Sequence, residues 1–185
     1  SNPMLIVTDL QKVIEMAHSE GAAVIVDNTF ATPVLCKPLS FGADIVIHSA
    51  TKYFSGHGNI TAGVMCGNDD SLMKQAVEYR KYVGHMLSPD DAYRLQTQIQ
   101  SFRLRFEAQC RNAVGISELL VHHPSVEKVW YPGLPGHPSH QTALRLFGNR
   151  GFGAMVTFGF GGKSEKERKD RRDSFIKAVS GSIKI

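Results

Sequence analysis

The sequence predicts an α/β fold built on a mainly parallel sheet, followed by part of a smaller α+β domain. Three observations lead to this prediction. A helical pattern over residues 9–19 precedes two short apolar runs rich in β-branched residues, AAVIVDN (22–28) and ADIVIHS (43–49). Such runs are typical of strands buried on both faces of a parallel sheet. After Asn68 the pattern changes to long helical stretches, which favours a second part of different architecture.

The elements of the first part follow from periodicity and from stop signals. In the first helix apolar side chains recur at helical spacing, Thr8 or Asp9 can cap its start, and Gly21 can end it. A third strand is predicted over TAGVMCG (61–67), which glycines punctuate at its end.

After Asn68 two helical stretches are predicted, and the small α+β part begins within the second of them. A long helical stretch begins at Ser88 and Pro89, which are a typical cap and first-turn residue, and ends at His123 and Pro124. Its length predicts a kink, which we place near Gly115. The other predicted elements are a helix over 71–82, a strand that runs into a turn over 126–134, a helix over 137–147, a strand over 153–160 and a helix over 163–179. We divide the chain into the end of an α/β domain, 1–110, and the start of a small α+β domain, 111–185.

Composition indicates a soluble globular protein and excludes several other classes. Of the 185 residues, 42% are hydrophobic and 21% charged, and the net charge of +4 is mild. The most basic run, KSEKERKDRR (163–172), is interleaved with acidic residues, which favours a solvated helix over a nucleic-acid interface. No apolar run approaches the length of a membrane span. Three widely spaced cysteines indicate a reducing compartment, so we expect a cytoplasmic protein.

Two polar side chains arrive at one edge of the predicted sheet. Asp27 closes the strand at 22–28, and Lys52 follows the strand at 43–49, so both lie at carboxyl ends, where α/β sheets bind ligands. Taken alone, the pair has simpler interpretations. Asp27 and Lys52 could form an ion pair, or the Asp27 side chain could cap the next turn. A nucleotide site with a metal-binding aspartate would need a glycine-rich phosphate loop, which the sequence lacks.

The chemistry that needs an aspartate, a lysine and nearby hydroxyls together is that of pyridoxal phosphate. A lysine amine holds its aldehyde as a Schiff base, and a carboxylate keeps its ring nitrogen protonated so that the ring withdraws electrons. Its phosphate needs hydroxyl and backbone N–H donors. Ser49 and Thr51 flank Lys52 in a Ser-x-Thr-Lys arrangement that could supply two of these hydroxyls.

The residues that carry this pattern resemble a known family. The block VDNTFATPVLCKPLSFGADIVIHSATKYFSGHGNITAG (26–63) is similar to the cofactor region of the Cys/Met-metabolism, or trans-sulfuration, enzymes that depend on pyridoxal 5'-phosphate. YPGL (131–134), HPSH (137–140) and GFGAMVTF (151–158) resemble the family's later portion. The resemblance therefore covers almost the whole chain, and it implies an aspartate aminotransferase-like, fold type I large domain.

The resemblance implies a role for each matching residue. Lys52 matches the Schiff-base lysine, which also moves protons between substrate carbons, and Asp27, 25 positions earlier (52 − 27), matches the partner of the ring nitrogen. Ser49 and Thr51 match phosphate ligands. Asn2 matches the asparagine that hydrogen-bonds the phenolic oxygen of the cofactor. No metal site is implied.

The resemblance also implies a reaction, partners and limits. The expected reaction is elimination or replacement at the β or γ carbon of a sulfur amino acid or an O-acylated homoserine, in a homo-oligomer that is a dimer of dimers. GHGNITAG (56–63) is most similar to the methionine γ-lyase pattern, with cystathionine γ-synthase and γ-lyase as alternatives. Family chains are much longer and carry further phosphate and substrate ligands beyond both ends of this chain. The chain therefore resembles a central piece, and a non-catalytic scaffold fragment is the alternative function.

Other histidine and glycine motifs do not favour a site. Two histidine pairs, at 122–123 and within HPSH (137–140), form no recognisable ligand set, because no cysteine or carboxylate completes one. GFG (151–153) lacks the strand–GxGxxG–helix context of a dinucleotide site.

Overall fold

The computed structural model describes residues 3–181. The helices in this part of the chain are α1 Leu10–Ser19, α2 Thr32–Leu35, α3 Asp70–Val83, α4 Pro89–Gln98, α5 Phe102–Val121, α6 His140–Phe147 and α7 Glu165–Ser180. The strands are β1 Ile25–Asp27, β2 Ile45–Ser49, β3 Gly63–Gly67, β4 Val126–Trp130 and β5 Thr157–Phe160. Short 3₁₀ segments lie at Pro38–Phe41, Ile99–Ser101 and Gly148–Arg150.

The first sheet has the strand order β1-β2-β3. β1 and β2 are parallel, with Ile25 opposite Ile45 and Asp27 opposite Ile47. β3 pairs with β2 in the antiparallel direction, so the described sheet is mixed. The second sheet is the antiparallel pair β4–β5, with a register shift between Val126 and Lys128. The predicted α/β class is confirmed, including one parallel pair at the predicted position.

The prediction that β1 is buried on both faces is wrong for this chain. Side chains alternate between the faces of a strand, and Ile25 and Asp27, on one face, are both exposed, Ile25 by 60%. The other face carries Val24 and Val46, which are buried in the core. An apolar run does not reveal how many layers cover a strand, and in the described residues only one face is covered.

The long helical stretch breaks at a different place from the one predicted. α4 ends at Gln98, the 3₁₀ turn Ile99–Ser101 follows, and α5 then runs without interruption through Gly115. A glycine inside a helix costs only about 1 kcal/mol relative to alanine and does not force a kink. The predicted start is confirmed, since the Ser88 hydroxyl accepts a hydrogen bond from the Asp91 N–H.

Several predicted bounds differ from the structure. β4 ends at Trp130 and a turn follows it, as predicted for 126–134, whereas β5 begins at Thr157 rather than at 153. α3 begins after Asp69, whose carboxylate accepts the N–H groups of Ser71 and Leu72.

One hydrophobic core joins residues of the helices α1, α2, α5 and α6 with residues of the first sheet. Phe106 of α5, Leu35 of α2 and Ala143 of α6 are fully buried within it. The other buried members are Leu10, Ile14, Val24, Cys36, Ala43, Val46, Cys110, Leu146 and Phe147. The core therefore includes residues on both sides of residue 110, and the two-domain division stays a prediction. Within residues 3–181 no helix is both long and apolar enough to cross a membrane.

Candidate active site

Lys52 lies in a turn that directly follows the carboxyl end of β2. Its backbone N–H donates to the Ser49 carbonyl (3.2 Å), and its own carbonyl accepts from the Gly56 N–H (2.8 Å). The side chain is exposed, and within the described part of the chain its amine makes neither a hydrogen bond nor an ion pair. The backbone is thus fixed while the amine remains available.

Asp27 ends β1 next to the middle of β2. Its carboxylate is exposed and accepts one hydrogen bond, from the Thr29 N–H (2.9 Å), so it does cap the following turn, as the simpler interpretation expects. The other simple interpretation does not hold in this structure, since Asp27 and Lys52 form no ion pair. One turn hydrogen bond leaves most of the acceptor capacity of the carboxylate unused.

Ser49 lies on the same face of the sheet as Asp27. Asp27 is opposite Ile47 in the register, and Ser49, two positions further along β2, points to that same face. Ser49 is half-buried, and no hydrogen bond of its hydroxyl occurs in the described residues. This exposed face therefore presents a carboxylate and an uncommitted hydroxyl from two neighbouring strands.

The Thr51 hydroxyl is already engaged. It accepts from the Ala62 N–H (3.0 Å) and donates to the Ala62 carbonyl across a long 3.4 Å contact. Because a hydroxyl has a single proton, Thr51 would have to release that weak bond to donate to a phosphate. Asn2, the remaining predicted ligand, lies outside the described residues.

Thr29 is a residue of this region to which the sequence analysis assigned no role. Its hydroxyl accepts the Ser49 N–H (2.8 Å) and so joins the turn after β1 to the end of β2. The next residue back, Asn28, is buried, and its N–H donates to the Ile47 carbonyl (2.9 Å). The VDNT motif contains both residues, but only the fold shows that they connect the two strands.

His48 lies beneath this edge of the sheet. It is buried against the ring of Phe54 (4.9 Å between centroids), and within the described residues its Nδ1 has no hydrogen-bond partner. Burial lowers the pKa of His48 below its usual value, and the nearby Asp27 carboxylate and Asn28 backbone oppose this shift only in part.

A cavity of about 240 Å³ lies on one side of Asp27. Asp27 and Asn28 line it together with the apolar segment around Leu5 and residues 152–155. Lys52, Ser49 and Thr51 are not among its lining residues. The cavity thus reaches one of the predicted site residues and not the lysine.

His137 and His140, of the HPSH segment, have structural partners. The His137 Nδ1 accepts from the Ser139 N–H (3.2 Å), so its Nε2 donates to the Met4 carbonyl (2.9 Å). The His140 Nδ1 lies 2.8 Å from the Pro132 carbonyl oxygen. In the described ranges no group of three His, Cys, Asp or Glu side chains could hold a metal ion.

Comparisons with known proteins identify the family of this chain. The sequence profile of the family described as Cys/Met metabolism PLP-dependent enzyme matches residues 1–181. The chain belongs to this family. The family depends on pyridoxal 5'-phosphate, and the predicted resemblance is confirmed.

Curated relatives with different activities are almost equally similar. An L-methionine γ-lyase of Porphyromonas gingivalis is 41% identical over 91% of this chain, and a cystathionine γ-lyase of Dictyostelium discoideum is 40% identical over 99%. The chain covers 42% and 47% of their respective lengths. It therefore spans less than half of the curated relatives that it matches, and identity does not distinguish among their activities.

Solved structures support the fold assignment. The cystathionine γ-synthase of Xanthomonas oryzae pv. oryzae, in complex with aminoacrylate and cysteine, matches with a TM-score of 0.85 at 42% identity. The match covers 91% of this chain and 43% of that one. A cystathionine γ-lyase of Lactobacillus plantarum, in complex with L-serine, matches with a TM-score of 0.83 at 35% identity. The fold is thus that of part of these enzymes.

Proposed function

We propose that the protein containing this chain catalyses pyridoxal-phosphate-dependent elimination or replacement at the β or γ carbon of a sulfur-containing amino acid. One observation carries the proposal. In a chain of this family, an exposed and unpartnered lysine amine follows β2, and an exposed carboxylate ends the neighbouring parallel strand β1.

The donor set fits the three polar parts of pyridoxal phosphate. The Lys52 amine suits the aldehyde carbon, the Asp27 carboxylate suits a protonated ring nitrogen, and the Ser49 hydroxyl suits a phosphate oxygen. None of these three side-chain groups is consumed by an ion pair in the described residues. Thr51 and Asn2 are the further ligands that we propose from the family pattern.

Each residue has a distinct task in the proposed reaction. When bound, the cofactor supplies an electron sink for the electron pair left on the substrate α-carbon. Lys52 would hold the cofactor through its aldehyde, and the Lys52 Nζ, once free, would accept the α-proton. Asp27 holds the proton on the ring nitrogen, and the Thr29–Ser49 hydrogen bond keeps the ends of β1 and β2 together.

The substrate class follows the relatives as a group. The similar proteins are named L-methionine γ-lyase, cystathionine γ-lyase, cystathionine γ-synthase and O-succinylhomoserine sulfhydrylase. We propose a sulfur amino acid or an O-acylated homoserine as the substrate, with L-methionine as the first to test. A cytoplasmic location and a homotetramer stay predictions.

Substitution of Lys52 tests this proposal. In the protein expressed from its complete coding sequence, Lys52→Ala should lower thiol release from L-methionine or L-cystathionine by about a thousandfold or more, because the α-proton loses its acceptor. Lys74→Ala, which removes an exposed lysine of α3, is the control and should leave the rate unchanged. A Lys52→Ala protein with the rate of the unaltered protein would contradict the proposal.

The alternative is a scaffold piece that binds no cofactor. Its basis is that the chain spans only 42% and 47% of the two relatives described above, so much of a family active site would come from residues outside it. Thiol release that requires Lys52 would exclude this alternative for the whole protein. A lack of thiol release in both the unaltered protein and the Lys52→Ala variant would support the scaffold alternative.

A further inference from the structure

The guanidinium of Arg105 is hydrogen-bonded to the turn that carries Lys52. Its Nη1 donates to the Tyr53 carbonyl (2.9 Å) and its Nη2 to the Phe54 carbonyl (3.0 Å). These two carbonyls belong to the residues that directly follow Lys52. Arg105 is on α5, 53 residues later in the sequence (105 − 52), so this is a tertiary contact and not a local turn bond.

The same guanidinium also holds the break between α4 and α5. Nη2 donates a second time, to the Gln98 carbonyl (3.2 Å), and Nε donates to the Ser101 hydroxyl (2.9 Å). All four acceptors of Arg105 are neutral oxygens, and none is a carboxylate. A planar group with five fixed donors can satisfy such a set, whereas a lysine ammonium concentrates its three donors at one point.

Gln98 forms a second connection from the helix break to the lysine turn. Its Oε1 accepts from the fully buried Ser55 hydroxyl (2.9 Å), and its Nε2 donates to the Asn59 Oδ1 (3.0 Å). Aromatic packing adds to this connection, since Phe54 meets the ring of Phe102 edge-on at 4.9 Å. The turn after Lys52 is therefore bound to the end of α4 and the start of α5 by hydrogen bonds and aromatic packing.

Gly56 provides the space that the guanidinium needs. A Cβ at residue 56 would lie 1.9 Å from the Arg105 Nη1 and 2.6 Å from its Cζ, which no real contact permits. Gly58 has nearly the same left-handed backbone, with φ +66° against +69°, but a Cβ there would meet nothing within 4 Å. An alanine at either position would pay the same cost of a left-handed backbone, but only the alanine at residue 56 would also displace Arg105.

We propose that Arg105, together with Gly56, is a positioning residue that fixes the turn at 50–56 and thereby sets where the Lys52 amine stands at the edge of the sheet. This inference rests on the proposed function, because the proposed function is what makes the position of the Lys52 amine important. Arg105 acts through backbone carbonyls. When the guanidinium is removed, the Tyr53 and Phe54 carbonyls lose their donors, and the turn after Lys52 loses its tie to α5.

Hydrogen exchange in the cofactor-free protein tests the positioning role directly. The Ser55 amide, bonded to the carbonyl of Ala50, should exchange at least about tenfold faster in Gly56→Ala than in Gly58→Ala. The same difference is expected between Arg105→Gln and Arg103→Gln, since Arg103 is an exposed residue of the same helix. The Gly56 amide, bonded to the Lys52 carbonyl, should show this difference between the two arginine variants, in which residue 56 is unchanged.

Two further readouts separate this inference from general unfolding and from the proposed function. Amides of α1 should exchange at the same rate in all four variants, which would show that the change is local. Covalent fixation of cofactor to Lys52 by borohydride should fall at least about tenfold in Gly56→Ala and Arg105→Gln, and Arg105→Lys should restore only part of it. Equal exchange in the two glycine variants, or equal fixation in them, would overturn the positioning role. Absence of fixation in the unaltered protein would instead overturn the proposed function, and with it the purpose assigned to the turn.

Discussion

Truncation of Phe106 should be among the most destabilising single changes in this chain. Its ring has no exposed surface, lies in the core that joins α1, α2, α5, α6 and the first sheet, and meets the ring of Tyr53 edge-on at 5.0 Å. Replacement of a buried phenylalanine by alanine typically costs about 3–5 kcal/mol, because apolar contacts are lost and a cavity remains. A domain is stable by only about 5–15 kcal/mol, so Phe106→Ala removes a large part of its stability.

Urea unfolding followed by circular dichroism measures this cost. With a slope of about 2 kcal/mol per molar urea, a loss of about 4 kcal/mol lowers the midpoint by about 2 M. Leu104→Ala is the matched control, because Leu104 is on the same helix and 73% exposed, and its midpoint should move by no more than about 0.25 M. A Phe106→Ala midpoint that falls no further than that of Leu104→Ala would refute the placement of Phe106 at the centre of the core.

Two other predictions follow from buried titratable groups. Burial lowers the pKa of His48, so the unfolded state takes up a proton first as the pH falls below 6.5, and the free energy of unfolding should decline there. The His48→Phe variant should lack this part of the decline. Parallel curves of unfolding free energy against pH for the two proteins would contradict the lowered pKa of His48. Burial also raises the pKa of the Cys36 thiol, and that of Cys110 to about 11, whereas Cys66 is exposed. Iodoacetamide at about pH 8 should therefore label Cys66 in the folded protein and the other two only after unfolding, and mass mapping that finds all three labelled equally would count against the buried positions.

The elements that the sequence predicted well are those set by local chemistry. The start of α4 follows from Ser88 and Pro89, because a hydroxyl cap and a first-turn proline act within a few residues. The strands β1 and β2 follow from their apolar runs, which is why Asp27 and Lys52 could be placed at one sheet edge. Their roles as cofactor ligands stay predictions, since they come from the family pattern.

The features that the sequence did not predict depend on long-range contacts. The break between α4 and α5 is stabilised by Arg105, which binds both the Gln98 carbonyl and the lysine turn, and no local signal marks an arginine for this purpose. The length of the stretch and the low helix propensity of glycine predict the break near Gly115, but Gly115 lies within a regular helix. The open face at Ile25 was equally hidden, because an apolar run does not show how many layers cover it.

Borohydride reduction followed by peptide mapping tests the central claim most directly. The protein expressed from its complete coding sequence is saturated with pyridoxal phosphate, reduced and digested, and the mass of each lysine-containing peptide is measured by mass spectrometry. The account predicts a pyridoxyl-phosphate mass on the peptide that contains Lys52 and none on the peptide that contains Lys74, an exposed lysine of α3. A Lys52 peptide without the added mass, or an equal addition on both peptides, would contradict the account.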